Sequence, residues 1–185
     1  ALAARLRGQA PGLSLRVVPS AVPRLEMLRN DECQLVISPR PPDGSDVLQK
    51  RLFADRYRVY YDPSVREAPR SIDEYLAAAH ATVVYEPRRS LDVDDRLLAA
   101  GIRRRFAVEV PELSALAPFV RGTPLLATAP ALLARQSFAG LAHCEPPVAC
   151  PTLPVYALWH ARHQRDPAHA WLRAQLQEVV APALA

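Results

Sequence analysis

Apolar and polar positions alternate in two distinct rhythms along this chain. Leu13, Leu15 and Val17 interleave with Ser14 and Arg16, and Arg105 to Val110 repeats the alternation, which predicts strands with one buried face. Leu35-Val36-Ile37, Thr82 to Tyr85, Leu125 to Thr128 and the run Leu153 to Trp159 are short and continuously apolar or β-prone, which predicts buried strands. Elsewhere the spacing is helical. Leu2, Ala3 and Leu6 share one side of a helix over residues 1–9. Val22, Leu25 and Leu28 do the same in a helix capped by Ser20 and running to about Arg29. Leu113, Leu116, Ala117 and Val120 follow at i, i+3, i+4 and i+7 after Pro111, and Trp171, Leu172, Leu176, Val179 and Val180 form a broad face near the end of the chain.

The punctuation agrees with the rhythm. Ser71-Ile72-Asp73-Glu74 is a capping box that opens a helix over residues 72–79. Ser90 can cap a helix over 91–100, and Gly101 is placed for the left-handed residue that ends it. Residues 48–61 read as an extended stretch with a polar break at Ala54-Asp55-Arg56, and residues 131–136 as a short helix. Asp166-Pro167 is a strong helix start, because the carboxylate accepts from free N–H groups and proline at the first helical position gives up none that was needed. Helices and strands thus alternate with short connections, which predicts an α/β fold with parallel pairing through right-handed crossovers. The first strand of such a unit should precede Ala1. The middle of the chain, roughly Asp55 to Thr152, can form a lobe inserted into one made from both ends.

Composition narrows the class. A chain of 185 residues can bury a real core as one large domain or two small lobes. The net charge of +4 neither requires nor excludes anionic partners. Cys33, Cys144 and Cys150 are an odd, sparse set, which argues against a disulfide framework and for a reducing compartment. No apolar run approaches membrane-spanning length, and the first residues turn polar too quickly for a secretion signal, so a cytoplasmic location is expected, with no membrane partner.

Candidate chemistry is thin. His160, His163 and His169 invite a metal reading, but nothing in their spacing forces their nitrogens to converge, and no metal or cofactor is expected. No serine sits in a Gly-x-Ser-x-Gly elbow, and there is no glycine-rich phosphate loop. Asp92, Asp94 and Asp95 suit the first turn of a helix, where negative charge is favoured. Arg103-Arg104-Arg105 reads as a solvated turn or a subunit contact rather than a phosphate grip.

A strand ending in Trp159-His160, then Arg162, Asp166-Pro167-Ala168 and Trp171-Leu172-Arg173, resembles the C-terminal signature of effector-binding domains of LysR-type transcriptional regulators. It is closest to the subgroup of nodulation and aromatic-degradation regulators. Residues 52–56, 80–84, 100–105 and 122–130 resemble that subgroup in order and spacing. Residues 28–38 depart from it: Asp31 stands where the family shows glycine, and Gln34 where it shows aspartate. The resemblance implies a two-lobed periplasmic-binding-protein-like (type 2) α/β fold with a ligand cleft between lobes, the first strand of lobe I missing. Lobe I would comprise residues 1–54 and 153–185, and lobe II residues 55–152. It also implies a small organic effector, possible aromatic character in that effector, a homodimer through the regulatory domains (a tetramer in the full-length protein), and DNA contact only through an N-terminal winged helix-turn-helix outside this chain. Dimerisation would place the 1–9 helix and the strand after it on the partner's 91–100 helix.

Eight positions are candidates for effector contact. Ser20 offers a hydroxyl and a backbone N–H at a helix start, or is a plain N-cap. Pro39 and Arg40 follow the strand 35–37, where open α/β sheets place ligands. His80, Arg88, Ser90 and Thr123 resemble pocket-lining positions. Glu112 matches a pocket position by the same resemblance, or is a carboxylate favoured by a helix dipole. An ionised Glu112 in the pocket would favour a neutral or phenolic ligand over benzoate or salicylate. A stand-alone solute-binding protein of the same architecture and a small α/β enzyme are the alternatives. The second lacks a visible nucleophile–base–orienter set.

Overall fold

The structure is a computed structural model that describes residues 2–18, 22–85 and 89–183. In chain order it forms α1 (Leu2–Gln9), α2 (Leu25–Arg29), β1 (Val36–Ser38), β2 (Val47–Asp55), β3 (Tyr57–Tyr61), α3 (Ile72–Ala77), β4 (Ala79–Tyr85), β5 (Arg89–Ser90), α4 (Asp92–Ala99), β6 (Arg105–Val110), α5 (Ala117–Val120), β7 (Leu126–Pro130), β8 (Ala142–Cys144), β9 (Leu153–His160) and α6 (Pro167–Ala183). Short 3₁₀ turns occupy Leu113–Ala115, Ala131–Arg135 and Ala161–His163. Two compact units result: Ala1–Ala54 with Pro154–Ala185, and Asp55–Leu153.

The first unit is built on a three-stranded sheet in the order β1-β9-β2. β1 pairs with β9 antiparallel, Val36 opposite Leu158, so the parallel pairing expected from the element order does not apply here. The reason is that β1 and β9 come from distant parts of the chain rather than from one strand–helix–strand repeat. Val36 and Ser38 face inward and Ile37 is 52% exposed, so this strand is buried on one face only. Around the sheet, Leu28, Val36 and Leu158 form one apolar cluster and Ala157, Trp159 and Leu176 another. α6 starts where the sequence places it: the Asp166 carboxylate accepts the His169 N–H at 2.9 Å, which holds that carboxyl below the usual carboxylate range. α1 lies against α6, with Leu6 buried and the Arg5 guanidinium reaching Gln175 and Glu178.

Two expectations for this unit are corrected. Residues 13–18 join no sheet, and Leu13, Leu15 and Val17 are exposed by 47%, 48% and 83%. Alternation specifies which face of a strand is apolar, but a strand also needs a neighbour to satisfy its backbone groups, and none lies beside this segment among the described residues. α2 begins at Leu25 with Arg24 in the capping position, four residues later than the Ser20 cap would give. Pro23 disfavours helical geometry at Val22, which removes the first turn of the longer helix.

The second unit centres on β4. This strand runs parallel to both β6 and β7, so here the predicted parallel crossovers do form. β7 in turn pairs antiparallel with β3, and β3 with β8. Val59, Tyr60, Tyr75, Val83, Leu116, Val120, Leu126 and Phe138 are completely buried in one core. Ser71 caps α3 by accepting the Glu74 N–H at 3.2 Å. The Glu74 carboxylate reaches back one residue further than a standard capping box, to the Arg70 N–H at 2.8 Å. α4 ends in a Schellman turn: Gly101 has φ +77°, its N–H donates to the Leu98 carbonyl, and the Ile102 N–H to that of Leu97.

The helices after β5 and β6 differ from expectation in instructive ways. Ser90 is not the cap of α4; it lies in β5 opposite Val84, and Leu91 takes the capping position. The helix expected from Pro111 is divided into a 3₁₀ turn and α5. Pro118 is the cause. It has no N–H for the carbonyl four residues earlier, and it fits only in the first turn of a helix that restarts there.

Candidate functional site

The most concentrated chemistry in the molecule is a buried polar network in the second unit. Arg104, just ahead of β6, has a side chain only 1% exposed, and its guanidinium pairs with the Asp94 carboxylate on α4. Asp94 also accepts the Thr82 hydroxyl of β4 at 2.7 Å. Arg104 Nη1 donates to the Tyr75 hydroxyl at 2.9 Å, and that hydroxyl lies 2.7 Å from Thr128 Oγ1 on β7. Because guanidinium can only donate, the Tyr75 oxygen accepts from it. The guanidinium further sits 5.1 Å from the Phe106 ring centre, a cation–π contact. One arginine thus ties α3, α4, β4, β6 and β7 together. Burial pushes the Tyr75 phenol above its ordinary pKa, with Arg104 opposing.

His80 belongs to the same core. It is fully buried, its Nε2 lies 2.8 Å from the Tyr75 carbonyl, and its ring meets the Tyr75 ring edge-on at 4.6 Å. A carbonyl only accepts, so Nε2 carries the proton. Nδ1 is buried without a hydrogen-bond partner. Burial, reinforced by Arg104, pushes the imidazole down to about 4, so it is neutral at physiological pH. In this setting His80 satisfies a carbonyl at the end of α3. That is a structural task, and a fully buried side chain does not line an open pocket, contrary to the reading of His80 as a pocket wall.

The remaining candidates divide by position. Ser20 and Arg88 lie outside the described residues. Pro39 is exposed and Arg40 half-buried directly after β1, where the Arg40 N–H donates to the buried Ser38 hydroxyl at 3.0 Å. In the second unit the register of parallel β4 and β6 sets Val83 opposite Val110, so Ser90 and Glu112 follow the carboxyl ends of neighbouring parallel strands. Glu112 is exposed and stands at the N-cap position of the 3₁₀ turn, without a side-chain capping hydrogen bond. Ser90 also lines a cavity of about 260 Å³ with Asp95, Leu98, Ile102, Arg103 and Phe106. Thr123 sits at the opposite end of the sheet, ahead of β7, with its hydroxyl donating to the Phe119 carbonyl at 2.7 Å. The structure therefore brings Ser90 and Glu112 to one end of the sheet and leaves His80 and Thr123 at the other.

The three C-terminal histidines do not form a metal centre, and no group of three metal-ligating side chains converges among the described residues. His160 faces Asp46, His163 faces Asp31, and His169 faces the Gln34 carbonyl. Sequence reasoning missed Arg104. Within Arg103-Arg104-Arg105 the outer two residues are exposed and only the middle side chain is buried, an alternation that the approach to a strand could have suggested.

Comparison with known proteins supplies what the geometry alone leaves open. The family model for the LysR substrate binding domain matches residues 1–181. The chain belongs to this family. It is 29% identical over 183 residues to the HTH-type transcriptional activator NagR of Ralstonia sp, covering 96% of this chain and 61% of that protein. Among solved structures, the regulatory domain of MexT, a transcriptional activator in Pseudomonas aeruginosa, superimposes with a TM-score of 0.82 at 26% identity, covering 96% of this chain and 90% of that one. A probable transcriptional regulator from Pseudomonas aeruginosa gives a TM-score of 0.82 at 32% identity, covering 96% of this chain and 60% of that one. The chain spans about three-fifths of the length of NagR. The two-sheet α/β architecture is that of LysR regulatory domains, the periplasmic-binding-protein-like type 2 fold that the sequence resemblance implied. No described helix is long and apolar enough to cross a membrane.

Proposed function

We propose that this LysR-family domain senses a small organic effector and regulates transcription through a winged helix-turn-helix carried by the same polypeptide in the cytoplasm. The observation that carries the reading is the family match over residues 1–181, joined to relatives whose names are those of transcriptional regulators. The domain acts by binding, without catalysis. Effector contacts are assigned to Ser90 and Glu112, beyond the carboxyl ends of β4 and β6. Open α/β sheets present ligands at such ends. Aromatic effectors are the class to test first, with neutral phenols ahead of carboxylates because Glu112 contributes a negative charge.

The domain works as a homodimer. Leu13, Leu15 and Val17 are exposed in a segment that joins no sheet, and Leu98 is 54% exposed on α4. Exposed apolar rows on two separate surfaces suit an isologous pair, in which the row of one copy covers α4 of the other. Titration calorimetry of the wild type, Ser90→Ala and Glu112→Gln against phenol and salicylate tests the effector assignment. Weaker phenol binding in both variants supports it, and binding that both leave unchanged rejects these residues as contacts.

A further inference from the structure

A second polar cluster closes the first unit, and its hydrogen-bond logic differs from that of the Arg104 network. His169, in the first turn of α6, is 7% exposed. Its Nε2 lies 2.9 Å from the Gln34 carbonyl, so Nε2 must carry a proton. Its Nδ1 faces Arg173 Nη1, and a guanidinium has no lone pair to accept with, so Nδ1 must be bare. The imidazole is thereby fixed as the neutral Nε2–H tautomer. Arg173 in turn holds the connection between β9 and α6. It donates to the His163 carbonyl at 3.2 Å and the Gln164 carbonyl at 3.1 Å, and it lies 4.5 Å from the Trp159 ring centre. The Trp159 indole N–H donates to the Gln164 side chain at 2.9 Å.

Protonating Nδ1 would convert the acceptor of this arrangement into a second donor and put an imidazolium against a guanidinium. The hydrogen bond is lost and two cations meet in a half-buried site, while the Gln34 contact, made by Nε2–H, survives. We infer that His169 is a proton-operated clasp: on mild acidification it releases Arg173 from the β9–α6 connection and loosens Trp159, giving the domain a response to pH separate from its organic effector.

Among the described residues, the charged and titratable groups that act on His169 lie on α6 with its cap and on the 3₁₀ turn before it. From α6 and its cap, Arg173 opposes a charge on His169 and Asp166 favours one. From the 3₁₀ turn, His163 stacks on His169 with ring centres 5.1 Å apart and planes within 6°, and also opposes it. From the turn after α2, Asp31 holds His163 Nε2 at 3.0 Å. β9 contributes the uncharged Trp159 ring, 6.4 Å away. Burial is the largest influence and lowers the His169 pKa from 6.5, with the Gln34 hydrogen bond opposing. Because the folded-state value is depressed, the imidazole is still neutral at pH 6.5, and the clasp opens only as the pH falls through that lower value.

The test is a nuclear magnetic resonance titration of the 185-residue chain from pH 7.5 to 5, following the histidine ring carbons and the Trp159 indole N–H. The expected result is that the Trp159 signal moves with the same midpoint as His169, below 6.5. His169→Gln, which keeps one donor and one acceptor but cannot titrate, should abolish that movement, whereas His163→Gln should preserve it. Arg173→Gln removes the opposing cation and should raise the His169 midpoint, a readout that does not depend on His169→Gln folding. A Trp159 signal indifferent to pH, one that moves unchanged in His169→Gln, or a His169 midpoint unaltered by Arg173→Gln would overturn the clasp.

Discussion

Asp94 at the start of α4 and Arg104 just ahead of β6 form an ion pair whose side chains are 7% and 1% exposed. A charge this deep is tolerated because an opposite charge and further polar partners face it. Asp94 has both Arg104 and Thr82, and Arg104 has Asp94, Tyr75 and the Phe106 ring. Removing one side leaves the other charge stranded. Asp94→Ala and Arg104→Ala are each expected to destabilise the second unit by about 3–5 kcal/mol, read from the midpoint of urea unfolding. A double replacement by apolar residues, Asp94→Leu with Arg104→Met, should cost much less than the sum, because no charge is left unpaired. Additive losses would show that the pair is not coupled.

His80 gives the fold an acid limit of its own. The unfolded imidazole titrates near 6.5 and the buried one near 4, so its contribution is fully present above pH 6.5 and is lost as the pH falls towards 4. The linkage amounts to about 3 kcal/mol over that window. Unfolding midpoints measured from pH 7 to 4 should fall accordingly. In His80→Gln the slope between pH 6.5 and 4 should flatten, even though the variant is less stable at pH 7. The Asp46 carboxyl, held near 2 mainly by its hydrogen bond from Arg29, titrates well below this window and does not confuse it.

Much of this architecture is legible in the residues themselves. Ser71 and Asp166 cap the helices their positions foretell, Gly101 takes the left-handed conformation that ends α4, and the strands assigned to 105–110, 125–128 and 153–159 form within a residue or two. These features are local: each needs only its neighbours in sequence. What the sequence hides is non-local. Residues 13–18 have the pattern of a strand, but pattern supplies no neighbour. Ser90 has the chemistry of a cap, but pairing with Val84 claims it first. Arg104 looks like one of three solvated arginines until α3 and α4 arrive to bury it. The candidate site is less legible than the fold, because helix caps and ligand contacts draw on the same residue types.

Asp31 illustrates a compensated departure. It has φ +59°, a conformation that suits glycine, at the position where the family pattern shows glycine. Its carboxylate faces His163 at 3.0 Å. Asp31→Gly relieves about 1 kcal/mol of backbone cost and forfeits an exposed pair of up to about 1 kcal/mol. The expected net change in unfolding free energy is within about 0.5 kcal/mol. A larger loss would mean that the His163 contact is stronger than its exposure implies.

Assembly is tested on the exposed apolar rows. The dimer should bury on the order of 1,200 Å² or more, and light scattering should report two copies at micromolar concentration. Val17→Asp and Leu98→Asp lie on the two different surfaces, with Val17 83% and Leu98 54% exposed. Each alone should shift the particle to a monomer with an unchanged circular dichroism spectrum. A wild-type monomer at high concentration would remove the proposal.

Exposure also limits what Glu112 can do to ligand choice. At about 4 Å in a water-like dielectric, two negative charges repel by about 1 kcal/mol, or roughly fivefold in affinity. Glu112→Gln should therefore improve salicylate binding by a factor of that order. A thousandfold change would require a dry pocket around a residue that is exposed here.

The central claim, that this LysR-family domain binds a small organic molecule without transforming it, is tested most directly by native mass spectrometry of the purified chain equilibrated with a mixture of phenols, aromatic acids and aliphatic acids. The account predicts one retained compound per chain, recovered chemically unchanged, with reduced retention in Ser90→Ala. Failure to retain any compound of the mixture, or recovery of a chemically altered one, would contradict it.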